Sequence, residues 1–121
     1  VRCMKKLLEE DPDTPCVLRG TDFAAKDVFD AARSGDVLAA REVDQMTATL
    51  GMALANIAAV VDPEMFLVGG GVARAGAVLF DPLVAHYRDT AFRSCRDIPI
   101  KAASLGNDAG IYGAVRLIVG A

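Results

Sequence analysis

Asp62-Pro63-Glu64-Met65-Phe66-Leu67-Val68-Gly69-Gly70-Gly71-Val72-Ala73 is the stretch on which the fold turns. Pro63 stops any helix that reaches it, because it has no N–H to donate and its ring clashes with the carbonyl four residues back. Asp62, as the residue before a proline, is biased towards extended backbone. Residues 65–68 are apolar without alternation, which predicts a short strand covered on both faces, as in a parallel sheet. Three glycines then end the strand. Glycine lacks a Cβ and tolerates positive φ, so main-chain amides there can come close to a bound group. A buried parallel strand that delivers a tight glycine loop is the layout of a ligand-binding α/β junction.

Working outward, residues 36–61 form the longest predicted helix. Val43, Met46, Leu50, Leu54, Ile57 and Val61 recur at threes and fours and predict one apolar stripe. Arg41, Glu42, Asp44 and Gln45 make the first half amphipathic, whereas residues 51–61 carry Asn56 as their lone polar side chain. The helix is therefore expected to start at the surface and end buried. Asp36 caps it, after Ser34 and Gly35 end a shorter helix over 24–33. Thr21 or Asp22 is the expected cap of that shorter helix, with Phe23, Val28 and Phe29 as its apolar contacts. A first helix covers 1–10, with Met4, Leu7 and Leu8 on one face, and Asp11, Pro12, Asp13 and Pro15 form the loop behind it.

Downstream, a helix over 77–93 is lined by Leu79, Phe80, Leu83, Val84 and Tyr87, with Pro82 breaking its first turn. Residues 98–103 read as a second strand, with Pro99 near its start, where a missing amide is tolerated. Residues 108–119 form the last helix. Strand, helix, strand, helix in this order predicts a right-handed crossover between two parallel strands. Two strands are too few for a complete sheet of this class.

At 121 residues the chain is one domain at most. A hydrophobic share of 53% and a mean hydropathy of +0.32 exclude the disordered class. The longest apolar run, 57–61, is far too short to span a bilayer, and no signal-peptide pattern is visible. A net charge of −3 argues against a nucleic-acid footprint. Cys3, Cys16 and Cys95 are odd in number and widely spaced, which fits free thiols in a reducing, cytoplasmic compartment. His86 stands alone, as expected of a surface or partly buried helix residue, and no Cys-x-x-Cys or His cluster offers a metal site. The chain opens at Val1 inside a predicted helix, as expected of a piece of a larger protein.

Two constellations bear on chemistry. Residues 69–71 read equally as a nucleotide-binding turn or as a turn needed only to leave the sheet. They are neither a P-loop, since no Gly-Lys-Ser/Thr follows, nor a dinucleotide fingerprint, since Arg74 holds the third glycine position. The second constellation is Leu105-Gly106-Asn107-Asp108-Ala109-Gly110-Ile111-Tyr112-Gly113-Ala114, directly after the second strand. Asn107 or Asp108 can cap the helix. Gly110 and Gly113 share a face at a propensity cost of about 1 kcal/mol each, which points to close packing or a ligand. No carboxylate pair, Ser-His-Asp or Cys-His grouping can be named, so no catalytic residue is assigned.

Residues 62–73 and 105–114 together strongly resemble the ROK family of sugar kinases and repressors. Ala25-Lys26-Asp27-Val28-Phe29-Asp30-Ala31-Ala32, Gly35-Asp36 and Leu50-Gly51-Met52-Ala53-Leu54-Ala55-Asn56-Ile57 extend the resemblance over nearly the whole chain. It implies an α/β, actin-like (ribonuclease H-like) ATPase fold. Residues 1–121 would be an incomplete C-terminal lobe with two parallel strands and about five helices.

The resemblance further implies an ATP-dependent hexose kinase converting glucose to glucose 6-phosphate, with magnesium at the phosphates. Gly69, Gly70, Gly71 and Val72 would meet the adenosine of ATP, and Gly106 and Asp108 would lie near the nucleotide side. The family's catalytic Asp, sugar-binding residues and cysteine-rich zinc motif match nothing here, and Cys3 and Cys16 do not fit the zinc pattern. The expected partners are ATP and a hexose, with no membrane or nucleic acid, in a homo-oligomer; the fragment alone is expected to be inactive. A repressor of the same family, sensing sugar through this lobe, is the alternative, and a module that binds nothing is the third. An inner strand left without its neighbour predicts that the isolated chain associates with itself.

Overall fold

The computed structural model describes residues 1–105 and 108–120. Its elements are α1 (Arg2–Glu10), α2 (Ala25–Arg33), α3 (Val37–Val61), β1 (Phe66–Val68), a 3-10 turn (Gly71–Ala75), α4 (Ala77–Thr90), β2 (Ile100–Ala102) and α5 (Ala109–Val119). Element types and order follow the sequence expectation. The 3-10 turn between the glycines and α4 is an addition to it.

α1, α2 and α4 pack on α3, and Asp36 fixes its start. One carboxylate oxygen accepts the Ala39 N–H at 3.0 Å, and the other accepts the Val17 N–H at 2.8 Å. The expected caps Thr21 and Asp22 do not serve α2. Its N-cap is Ala24, whose N–H donates to the Asp27 carboxylate at 2.7 Å. Asp62 also departs from its extended expectation: it closes α3 in the left-handed region, at φ 49° and ψ 58°. Aspartate is among the few residues that tolerate this region, and the Asp62 N–H still reaches the Ala58 carbonyl at 2.9 Å. α4 runs through Pro82 without breaking.

The buried face of α3 is not the stripe of large side chains. It is Val43, Thr47, Gly51, Ala55 and Ala58, with Leu38 and Ala39 at the start. Small residues let α4 come close, and that close crossing turns the large residues outward: Ile57 and Val61 are exposed, and Val60 is 85% exposed. The second half of α3 therefore does not end buried within this chain.

Two apolar clusters result. One joins Met4, Leu7, Leu8, Leu18, Val28, Phe29 and the first half of α3 to Ala75 and Leu79. The other gathers Ala55, Ala58, Tyr87, Ala91 and Cys95, with Phe66, Ile98 and Ile100 against them. Tyr87 ties the second together: its hydroxyl donates to the Cys95 carbonyl, and its ring meets Phe66 edge-on at 5.9 Å. His86, on the same helix, lies 2.8 Å from an Asp44 carboxylate oxygen and links α4 to α3. All three cysteines are free thiols.

β1 and β2 pair in parallel, with Phe66, Leu67 and Val68 opposite Ile100, Lys101 and Ala102. Coverage of both strand faces, the sequence expectation, does not hold, since Leu67 is 63% exposed. α5 buries none of its residues, and Leu117 and Ile118 are 87% and 86% exposed. A Cβ on Gly110 or Gly113 would meet nothing within 4 Å, so close packing does not account for these glycines among the described residues. Among the described residues, no helix is long and apolar enough to cross a membrane.

Candidate functional site

The parallel register brings both glycine-rich junctions to one end of the sheet. Immediately beyond the strands, the Ala103 N–H donates to the Val68 carbonyl at 2.9 Å, and a Cβ on Gly69 would lie 3.7 Å from that of Ala103. Ligands of open α/β sheets bind at the carboxyl ends of the strands, and both junctions lie there. At Gly70 the backbone takes φ 83° and ψ −176°, a region open in practice to glycine alone. That kink turns the chain into the 3-10 turn.

The turn faces α2 across a cavity of about 560 Å³, within the usual range for small-molecule sites. Gly71, Val72, Arg74 and Ala75 line one side; Ala24, Ala25, Lys26, Phe29, Asp30 and Arg33 line the other. Phe29 is 5% exposed and backs the cavity with an apolar wall. At the rim, Asp30 sits between two cations, 2.8 Å from Arg33 Nη1 and 3.8 Å from Lys26 Nζ. Arg33 Nη2 crosses the cavity end to the Ala75 carbonyl at 2.9 Å. Three cations against one carboxylate suit a ligand with an apolar body and an anionic tail.

Among the expected site residues, Gly71 and Val72 line the cavity, and Gly69 and Gly70 lead into it. Asp108 stands at the N-terminus of α5 without a side-chain cap bond and does not line the cavity. Gly106 lies outside the described residues, as does Asn107, the other expected cap of α5. Besides Arg74 of the turn, the charged lining residues that sequence reasoning missed are Lys26, Asp30 and Arg33. Their spacing puts them on one face of α2, but a charged stripe on a short helix also reads as a solvated face.

A second groove, of about 630 Å³, runs between α1 and α3 past Cys3, Lys6, Glu10, Glu42 and Gln45. Burial pushes the Glu42 carboxyl above its ordinary range. This groove is larger but touches neither glycine junction, so the cavity at the turn is the better candidate. Among the described residues, no group of three or more His, Cys, Asp or Glu is placed to hold a metal.

A parallel βαβ unit whose strand runs into a glycine turn beside an apolar, cation-rimmed cavity is the layout of an α/β protein with a ligand site at the carboxyl end of its sheet. The ROK family profile matches residues 2–120, and the chain belongs to the ROK family. It is 41% identical over 92 residues to a glucokinase of Halalkalibacterium halodurans, covering 75% of this chain and 28% of that protein. It is 39% identical over 97 residues to a glucokinase of Thermotoga maritima, covering 78% and 30% respectively. A ROK family glucokinase from Streptomyces griseus, solved in complex with glucose and AMPPNP, superposes with a TM-score of 0.84 at 31% identity, over 96% of this chain and 40% of that one. The fold is thus that of the actin-like ATPase sugar kinases. The chain spans less than a third of the length of these two curated relatives.

Proposed function

We propose that this chain is part of the C-terminal lobe of an ATP-dependent hexose kinase and forms the adenosine side of its ATP site. The observation that carries the reading is the cavity between α2 and the glycine turn, at the carboxyl end of a parallel sheet. Its support from relatives is the likeness to glucokinases and to a glucokinase that binds glucose and AMPPNP. The reaction is transfer of the ATP γ-phosphoryl group to glucose.

In this reading the main chain of Gly69, Gly70, Gly71 and Val72 lies against the adenosine, and Phe29 supplies an apolar wall. Gly106 and Asp108, of the second glycine-rich constellation, are assigned to the nucleotide side on the family resemblance alone. Magnesium accompanies the phosphates in phosphoryl transfer, and no residue of this chain is assigned to it, nor is any assigned as the base that takes the sugar proton. The setting is cytoplasmic sugar catabolism by glycolysis, in a homo-oligomer. The sugar-responsive repressor is the weaker reading, because the relatives at 39–41% identity are glucokinases.

The test is a coupled phosphorylation assay of the whole protein against a panel of hexoses, with Gly70→Val alongside. A side chain at φ 83° is strained by about 1–3 kcal/mol. KM for ATP is expected to rise about tenfold with KM for glucose unchanged, each factor of ten being about 1.4 kcal/mol. A protein that phosphorylates no hexose overturns the assignment.

A further inference from the structure

Arg33 joins two segments that lie far apart in sequence. Its Nη2 donates to the carbonyl of Ala75, 42 residues away, at 2.9 Å, while Nη1 lies 2.8 Å from Asp30 on the preceding turn of α2. Among the described residues, this is the one side-chain hydrogen bond that reaches residues 69–76 from elsewhere in the chain. Ala75 is the last residue of the 3-10 turn, and its side chain is buried in the cluster that holds Phe29 and Leu79. One guanidinium plane thus serves a carboxylate that orients it and a carbonyl that it holds. A lysine, as a single point of charge, can serve one of the two but not both in that geometry.

We propose that Arg33 is a positioning residue: anchored by Asp30, it sets the distance between α2 and the glycine turn, and so the width of the nucleotide cavity. The proposal deepens the nucleotide-site reading above and rests on it for its kinetic consequence. Its structural consequence does not depend on that reading. Arg33 is not assigned a contact with the reacting atoms. It acts through the main chain at Ala75.

The experiment uses the full-length protein and the variants Arg33→Met, Arg33→Lys and Asp30→Asn. Amide hydrogen exchange without nucleotide reads the turn directly. Arg33→Met is expected to speed exchange over residues 70–76 about tenfold, with the buried amides of α3 unchanged, as loss of a charge-assisted bond implies. In steady state, KM for ATP rises by a similar factor while KM for glucose stays within about twofold. Arg33→Lys recovers part of both effects, and Asp30→Asn, which frees the fork but leaves the Ala75 bond possible, gives a smaller change than Arg33→Met.

Unchanged exchange over 70–76 in Arg33→Met overturns the proposal, and so does a parallel rise in both KM values. Should Arg33→Met fail to fold, Arg33→Lys decides by the same two readouts. A wild-type protein that phosphorylates no hexose defeats the proposed function instead, and the exchange measurement still decides whether Arg33 holds the turn.

Discussion

Gly51 of α3 lies against the backbone of α4 at Tyr87. A Cβ at residue 51 would stand 2.9 Å from the Tyr87 amide nitrogen and 3.1 Å from the His86 carbonyl carbon. Gly51→Ala gains about 1 kcal/mol of helix propensity. The overlap is with main chain, which cannot swing aside, and overpacking of this kind costs about 1–3 kcal/mol. The expected outcome is a net loss of about 1 kcal/mol for alanine and a larger one for Gly51→Val. Urea unfolding midpoints check it; an alanine variant as stable as the parent would show that the two helices are free to separate.

Asp36 is expected to make stability depend on pH in acid. Burial works against its charge, but the amides of Ala39 and Val17, with Cys16 beside them, outweigh it and hold the carboxyl below its ordinary value of 3.8. The folded state therefore binds fewer protons than the unfolded chain, and stability rises with pH across that range. The contribution is complete above the ordinary value and is lost as pH falls through the lowered one. Asp36→Asn keeps a competent cap and is expected to flatten the acid limb of the stability profile. Asp36→Ala is expected to cost about 1 kcal/mol at neutral pH as well, through loss of the cap.

Tyr87→Phe leaves the ring in place and removes the donor to the Cys95 carbonyl, a buried acceptor. The Cys95 carbonyl still accepts the Ile98 N–H at 3.2 Å, so the expected cost is that of one hydrogen bond, about 1 kcal/mol. Burial, together with Cys95, pushes the phenol above its ordinary value of 10.0, so the donor keeps its proton when an exposed tyrosine loses it. Thermal unfolding measures the first effect, and ultraviolet titration of wild type against Tyr87→Phe the second.

The isolated 121-residue chain is expected to associate at micromolar concentration. Val60, Leu67, Leu117 and Ile118 present large apolar surface, some of it beside an open strand edge. Light scattering should report species larger than a monomer, and Leu117→Lys with Ile118→Lys should shift them towards it. A stable monomer of the unaltered chain would refute the expectation.

Much of this architecture is legible in the sequence because punctuation fixes it locally. Pro63, the glycines at 69–71 and the Asp36 cap each act through their own backbone chemistry, so the βα junction and the limits of α3 could be placed without tertiary information. The buried face of α3 could not. Periodicity marks where large side chains recur, but the α3–α4 crossing selects Gly51, Ala55 and Ala58 for close approach. Asp62 misleads for a similar reason: the proline after it biases the backbone, yet the end of a helix asks for a left-handed residue, and the second demand prevails. In the candidate site, the glycine side was visible as a motif. The α2 side was hidden, because the link from Arg33 to Ala75 exists only once the chain has folded back on itself.

α3 passes through two separate apolar clusters, and among the described residues the glycine turn is moored to the first, through Ala75 and Leu79. Damage is thereby compartmentalised. A lesion among Met4, Leu7 or Val28 is expected to slacken the mooring of the turn and the packing of Val68, while Phe66 and Ile100 stay held by the second cluster. A lesion at Ala58 or Cys95 does the reverse. Loosening of the turn and loss of sheet integrity are therefore expected to be separable failures.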